Sequence, residues 1–185
     1  HDIISTLKKT GVKTFIIHAR KAMLGKFTPK QNLNIPPLKY EYVYKLKEDF
    51  PDEDIIINGG VTSVEQIKSL LQKTDGVMIG RAAYHTPYLL ADIEKEIFKN
   101  ENVLSRQDVI EQLIPYIKDE LKKGTRLNQI MRHTLGLFHG QTGASYWKRY
   151  LSENMCVRDA DVKKIDHIMD KIKFNNVDTS VGQSA

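Results

Sequence analysis

Three places in the chain set residues that can bind or react directly after short apolar runs. His18-Ala19-Arg20-Lys21 follows Phe15-Ile16-Ile17, Asn58-Gly59-Gly60 follows Ile55-Ile56-Ile57, and Gly80-Arg81 follows Val77-Met78-Ile79. Paired glycines, with a Gly-Arg one strand later, form the pattern by which a β/α barrel grips a phosphate after its last two strands. Lacking Cβ atoms, Gly59, Gly60 and Gly80 let their backbone N–H groups approach anionic oxygens closely. Arg81 adds a fixed positive charge, and a helix N-terminus behind it adds its dipole. Tight turns alone would also use glycines, but the two motifs together favour a phosphate. A histidine at a strand end either points into the mouth above the sheet or packs as a satisfied core group. Beside His18, Arg20 and Lys21 favour a ligand contact, because three ionisable donors at one strand end are poor core material.

Other chemistries find less support. No second His or carboxylate stands at metal-ligand spacing from His18, so no bound metal is expected. His133 and His139 fall off a common helical face and read as surface or packing residues. The sequence holds no Gly-x-Ser-x-Gly, Walker loop or Gly-x-Gly-x-x-Gly. Cys156 is the only cysteine, which excludes an intrachain disulfide and a multi-cysteine zinc site and suits a reducing compartment.

The elements that must position these groups follow from the apolar pattern. The three runs are rich in β-branched residues and do not alternate, as expected of parallel strands covered on both faces. Helical spacing lies between them. Tyr42, Val43, Leu46 and Phe50 share a face within Leu38 to Phe50, ending at Pro51. Thr62-Ser63 can cap a helix carrying Val64, Ile67, Leu70 and Leu71, and Pro87 can start another with Leu89, Leu90, Ile93 and Ile97 inward. Repeated strand–loop–helix units imply parallel crossovers, in an open sheet or a barrel, and three strands alone close no barrel.

Past residue 99 the strand pattern stops. Asn100-Glu101-Asn102 reads as a linker, and Ser105 to Asp108 as a capping box opening an all-helical region. Helices are expected from Val109 to Leu121, with a kink at Pro115, then over Leu127 to Phe138, Ala144 to Leu151 and Val162 to Ile172. Residues 175–185 are polar and read as a loose tail.

Charge is segregated. The net charge is +5, yet residues 3 to 40 hold eight Lys/Arg and residues 121 to 152 hold six, neither window containing an acid. The remainder is 14 basic against 23 acidic residues, or −9. Patches cleared of carboxylates suit a protein that follows a phosphate backbone, although a solvated helix face would also account for each window. No apolar run approaches the roughly 20 residues of a membrane span, so the chain is expected in the cytoplasm. The start at His1, inside a helix-like segment, reads as part of something longer.

The motifs together resemble the tRNA-dihydrouridine synthase family, and within it the subfamily acting at positions 20 and 20a of the tRNA D-loop. The resemblance is carried by His18-Ala19-Arg20-Lys21-Ala22, Ile35-Pro36-Pro37-Leu38, Ile57-Asn58-Gly59-Gly60-Val61 and Asp75 through Tyr84. Beyond these, Met131-Arg132-His133, Leu137 to Gly140 and Trp147 to Leu151 match the family's C-terminal helical motif. The family's usual Gly-x-Pro-Gly-Ala-Arg reads Gly140-Gln141-Thr142-Gly143-Ala144-Ser145, and Leu33 stands where a basic residue is expected, so tRNA contacts at these points are expected to differ.

The resemblance implies an α/β plus all-α chain: the C-terminal half of a TIM (β/α)8 barrel followed by a small helical-bundle RNA-binding domain. Residues 1–99 would belong to the FMN-binding barrel, 100–174 to the helical tRNA-binding domain and 175–185 to the tail. It further implies FMN as cofactor, with His18 at the flavin and Asn58, Gly59, Gly60, Gly80 and Arg81 at its phosphate end. NADPH would be the reductant and tRNA the substrate, contacted by Arg20, Lys21, Lys30, Lys148 and Arg149. Hydride would pass to C6 of a flipped uracil while a cysteine protonates C5. Cys156 is not assigned that role, so no catalytic residue is expected in this stretch, and the stretch alone is expected to be inactive. The intact protein is expected to be a monomer. Two other readings stay open: an RNA-binding piece without catalysis, and a metabolite-reducing FMN barrel such as a dihydroorotate dehydrogenase. Trp147 and Tyr150 would serve either as core residues or as base-stacking platforms.

Overall fold

A computed structural model of the chain describes residues 1–32, 34–157 and 160–171. Leu33, the expected end of the last helix at Ile172 and the tail at 175–185 lie outside the described residues. The chain divides into two compact units, His1–Ala83 and a second beginning at Tyr84. The segment Asn100-Glu101-Asn102 is irregular and lies within the second unit.

The first unit is mixed helix and sheet. Its elements are α1 (Asp2–Lys8), β1 (Thr14–His18), α2 (Pro29–Asn32), α3 (Tyr40–Asp49), β2 (Asp54–Asn58), α4 (Val64–Leu71) and β3 (Gly76–Met78), with α5 (Arg81–His85) reaching across the division. The strands form a parallel sheet in the order β1-β2-β3. Phe15, Ile55 and Ile57 are buried on one face, β2 contacts α3 and β3 contacts α4. Val43, Val64, Ile67 and Leu70 supply the helices' share of this core. Ser63 caps α4, its Oγ accepting from the Gln66 N–H at 3.2 Å.

The other face of the sheet is not covered as the unalternating runs led us to expect. Ile16 is 57% and Met78 41% exposed there, and Ile56 of the central strand is only partly covered. A parallel sheet with helices on both sides needs a second layer, and the described residues of the first unit supply one layer only.

The lower rim of the sheet is held by charge. Glu53, immediately before β2, is 1% exposed and meets Lys8 Nζ at 2.9 Å and Lys13 Nζ at 3.6 Å. The Lys8 hydrogen bond holds its carboxyl below the usual range. Asp75, before β3, accepts from the Ile55 N–H at 2.8 Å and pairs with Lys47 at 2.8 Å. Burial works to raise the Asp75 carboxyl, but these partners outweigh it and leave it lowered.

The described residues of the second unit are helical: α6 (Leu89–Glu96), α7 (Arg106–Lys122), α8 (Leu127–Met131), α9 (Ala144–Asn154) and α10 (Lys163–Lys171). The Ser105/Asp108 capping box is present, and α7 runs on through Pro115 as one helix. Where a helix over Leu127 to Phe138 was expected, α8 stops at Met131. Thr134 turns its hydroxyl back onto the Met131 carbonyl at 2.9 Å, and Gly136 lies so close to the chain at His85 that a Cβ would collide with the His85 carbonyl oxygen. That approach needs glycine and an irregular backbone, and the helical pattern yields to it. Ile110, Ile117, Met131, Phe138, Trp147 and Ile165 are fully buried in the core of this unit.

Candidate functional site

The three strand ends that carry the candidate residues lie in one row. In the parallel register Asn58 is paired with His18 on one side and Met78 on the other, so the segments after all three strands leave from the same edge. With strands about 4.8 Å apart, the outer members of this row are about 10 Å apart, within the span of one phosphorylated ligand.

His18 Nδ1 is 3.3 Å from the Asn58 carbonyl oxygen. An oxygen acceptor requires the proton on Nδ1, which makes Nε2 of the neutral ring an acceptor. That Nε2 is buried and has no protein partner. Leaving such an atom unmatched costs about 1–3 kcal/mol, which a ligand donor at this position would relieve.

Gly59 and Gly60 have φ of 125° and 69°. A Cβ on Gly59 would stand 2.9 Å from Leu38 Cδ2 and 3.0 Å from His18 Nδ1, and one on Gly60 would stand 2.5 Å from Leu38 Cδ1. The backbone conformation favours glycine at both positions, and a Cβ at either would also make Leu38 shift. Tyr40 Oη donates to the Gly59 carbonyl at 2.6 Å and accepts from Gln66 Nε2 at 3.1 Å, while Gln66 Oε1 accepts from the Thr62 N–H at 3.0 Å. Among the described residues, the N–H groups of Gly59, Gly60 and Gly80 have no protein acceptor. Open space surrounds Gly80, with nothing within 4 Å of a Cβ placed there.

The basic groups divide into free and engaged. Arg81 is exposed and donates to Asn34 Oδ1. Arg20 donates to the Pro36 carbonyl and, at 3.3 Å, to that of Asn34, so both guanidiniums grip the loop between α2 and α3. Lys21 and Lys30 are exposed. The loop between them is folded by Asn32, whose Oδ1 accepts from the Met23 N–H at 2.7 Å and whose Nδ2 donates to Phe27 O at 3.2 Å.

In the second unit Lys148 and Arg149 are exposed on α9, Arg149 lying 5.7 Å from the Tyr146 ring centroid. The second basic window is less clear of acid than its boundaries suggested: Lys122 pairs with Asp119 at 3.1 Å and Lys123 with Glu120 at 2.8 Å, both acids falling just outside it. Trp147 is fully buried against Phe138, its Nε1 donating to Thr134 O at 3.2 Å, which makes it core and removes it as a stacking platform. Tyr150 is half-buried and stacks on His167. Among the described residues no group of three or more His, Cys, Asp or Glu is placed to hold a metal ion, and no helix is long and apolar enough to cross a membrane.

The sequence reading missed Leu38, Tyr40, Gln66 and Asn34. Their signal was weak, since each acts through a partner between 19 and 47 residues away. Only the Ile35-Pro36-Pro37-Leu38 stretch marked their neighbourhood.

The first unit is thus a parallel β/α unit whose adjacent strand ends carry a left-handed glycine pair, an unmatched buried imidazole nitrogen and a Gly-Arg turn. This chain belongs to the dihydrouridine synthase family, whose model matches residues 1–173. It is 44% identical over 175 residues to the tRNA-dihydrouridine(20/20a) synthase of Synechocystis sp., covering 94% of this chain and 52% of that protein. Against the enzyme of the same name from Shewanella oneidensis it is 46% identical over 179 residues, 96% of this chain and 52% of the other. For that of Escherichia coli (strain K12) the figures are 47% over 170 residues, 91% and 49%. The chain thus spans about half the length of the curated relatives it matches.

Proposed function

We propose that this chain is the part of a tRNA-dihydrouridine synthase that holds the flavin's phosphate end and part of the tRNA, in an enzyme reducing uridine to 5,6-dihydrouridine in the D-loop. The observation that carries the reading is the His18 Nε2 left without a partner beside the Gly59-Gly60 turn. That edge fits FMN chemically: an acceptor nitrogen for a ring donor, and free backbone N–H groups with a nearby arginine for a phosphate. FMN, when bound, supplies reversible hydride transfer, with NADPH as the reductant and C6 of the target uracil as the acceptor.

Each residue of the chain has a narrower task. His18 would accept from the flavin, held in its tautomer by the Asn58 carbonyl. Asn58, Gly59, Gly60, Gly80 and Arg81 would surround the phosphate. Lys21 and Lys30 on the first unit, and Lys148 and Arg149 on the second, would contact tRNA phosphates, where exposed cations gain affinity by releasing counterions. Arg20 would both contact tRNA and shape the loop that carries Asn34, since its Nη1 donates to the Asn34 and Pro36 carbonyls while its Nε is buried without a partner. Cys156 sits in the second unit, away from any strand end in sequence, and protonation of C5 is not assigned to it.

The test is FMN titration of the chain, followed by flavin fluorescence, with His18→Ala and Arg81→Ala variants alongside. Saturable binding that both variants weaken supports the reading. Tight tRNA binding without FMN binding would instead favour an RNA-binding piece.

A further inference from the structure

The Gly59-Gly60 turn is not self-supporting. Both residues lie in the left-handed region, and the peptide between them has no ladder partner to fix its plane. What holds that peptide is a side chain from another element: Tyr40, first residue of α3, donates its hydroxyl proton to the Gly59 oxygen at 2.6 Å. The hydroxyl is itself aimed by Gln66 on α4, whose amide donates to it at 3.1 Å and accepts from the Thr62 N–H just past the turn. Burial raises the Tyr40 hydroxyl above the ordinary tyrosine value.

In a trans peptide the carbonyl oxygen of one residue and the N–H of the next point in opposite directions from a rigid plane. Every peptide bond described here is trans. Tying down the Gly59 oxygen therefore sets the direction of the Gly60 N–H, on an exposed residue with no protein acceptor. We infer that Tyr40, oriented by Gln66, is a positioning residue that presets the Gly60 N–H for an anionic oxygen, and so confers preference for a phosphorylated ligand over its dephosphorylated form. The inference rests on the phosphate-site reading proposed above. Without the hydroxyl, the glycine pair can rotate its shared peptide at little cost, and the donor must be ordered anew each time a ligand arrives.

The test compares FMN with riboflavin, which shares the ring and lacks the phosphate, on the wild-type chain and on Tyr40→Phe and Gln66→Met variants. Tyr40→Phe keeps the ring and removes one hydroxyl, so FMN affinity is expected to fall roughly two- to tenfold with riboflavin affinity unchanged. Gln66→Met should shift the preference the same way by less. A fall for both ligands equally would mean a merely structural role and overturn the inference. If the wild type prefers FMN and Tyr40→Phe prefers it just as much, Tyr40 has no positioning role and the phosphate site stands. A wild-type chain that does not distinguish the two ligands, or binds neither, refutes the phosphate site and the inference with it.

Discussion

Gly60 shows most plainly how the site and the backbone constrain each other. Its φ of 69° disfavours any side chain, and a Cβ there, 2.5 Å from Leu38 Cδ1, would also make the leucine shift. Gly60→Ala should therefore destabilise the first unit by about 1–2 kcal/mol from the left-handed strain alone, measured as a shift in the urea midpoint. Arg81 tests function more than stability, because it is exposed and its one fixed partner is Asn34. Arg81→Ala should weaken FMN binding roughly tenfold, the worth of one charge-assisted hydrogen bond, with an unchanged melting curve. At this scale the placement of His18, the glycines and Arg81 at or just after strand ends was legible in the sequence, because each follows a β-branched run that ends abruptly. Tyr40 and Gln66 were not, because a hydroxyl bonded to a carbonyl 19 residues away leaves no local pattern.

Among the elements, the sheet was read correctly in number, direction and order of residues, since Ile55-Ile56-Ile57 and its companions permit little else. Its two-sided burial was not, because an unalternating run states what a strand can bury and says nothing of whether a second layer is present. The same limit appears in α8, where helical spacing persists to Phe138 but the close approach at Gly136 ends the helix early. Basic windows mislead in a related way: Lys122 and Lys123 look unopposed until Asp119 and Glu120, one turn earlier, fold back onto them. The rim beneath the sheet adds a pH dependence. The folded carboxyl of Glu53 lies below its ordinary value of 4.5, so its contribution is fully present above that value and is lost as pH falls through the lower folded one. Asp75, lowered from 3.8, acts in the same direction at slightly lower pH. Stability measured from pH 6 downward should therefore begin to drop as pH approaches 4.5, and Glu53→Gln should flatten that first part of the acid limb. A curve identical in variant and wild type would show that Lys8 and Lys13 do not hold this carboxylate in solution.

For the molecule as a whole, two units each present exposed cations, and both are expected to act on one tRNA. Replacing Lys148 and Arg149 by Glu should weaken tRNA binding and flatten its salt dependence, read from affinities at low and moderate salt. The central claim, that His18 meets the flavin ring while two glycine turns hold its phosphate, is tested most directly by amide and imidazole NMR shifts during FMN titration. The account requires saturable shifts at the Gly59, Gly60 and Gly80 N–H groups and at the His18 ring, absent for Gly60 when riboflavin replaces FMN. Shifts confined to other residues, or no saturation at all, would contradict it.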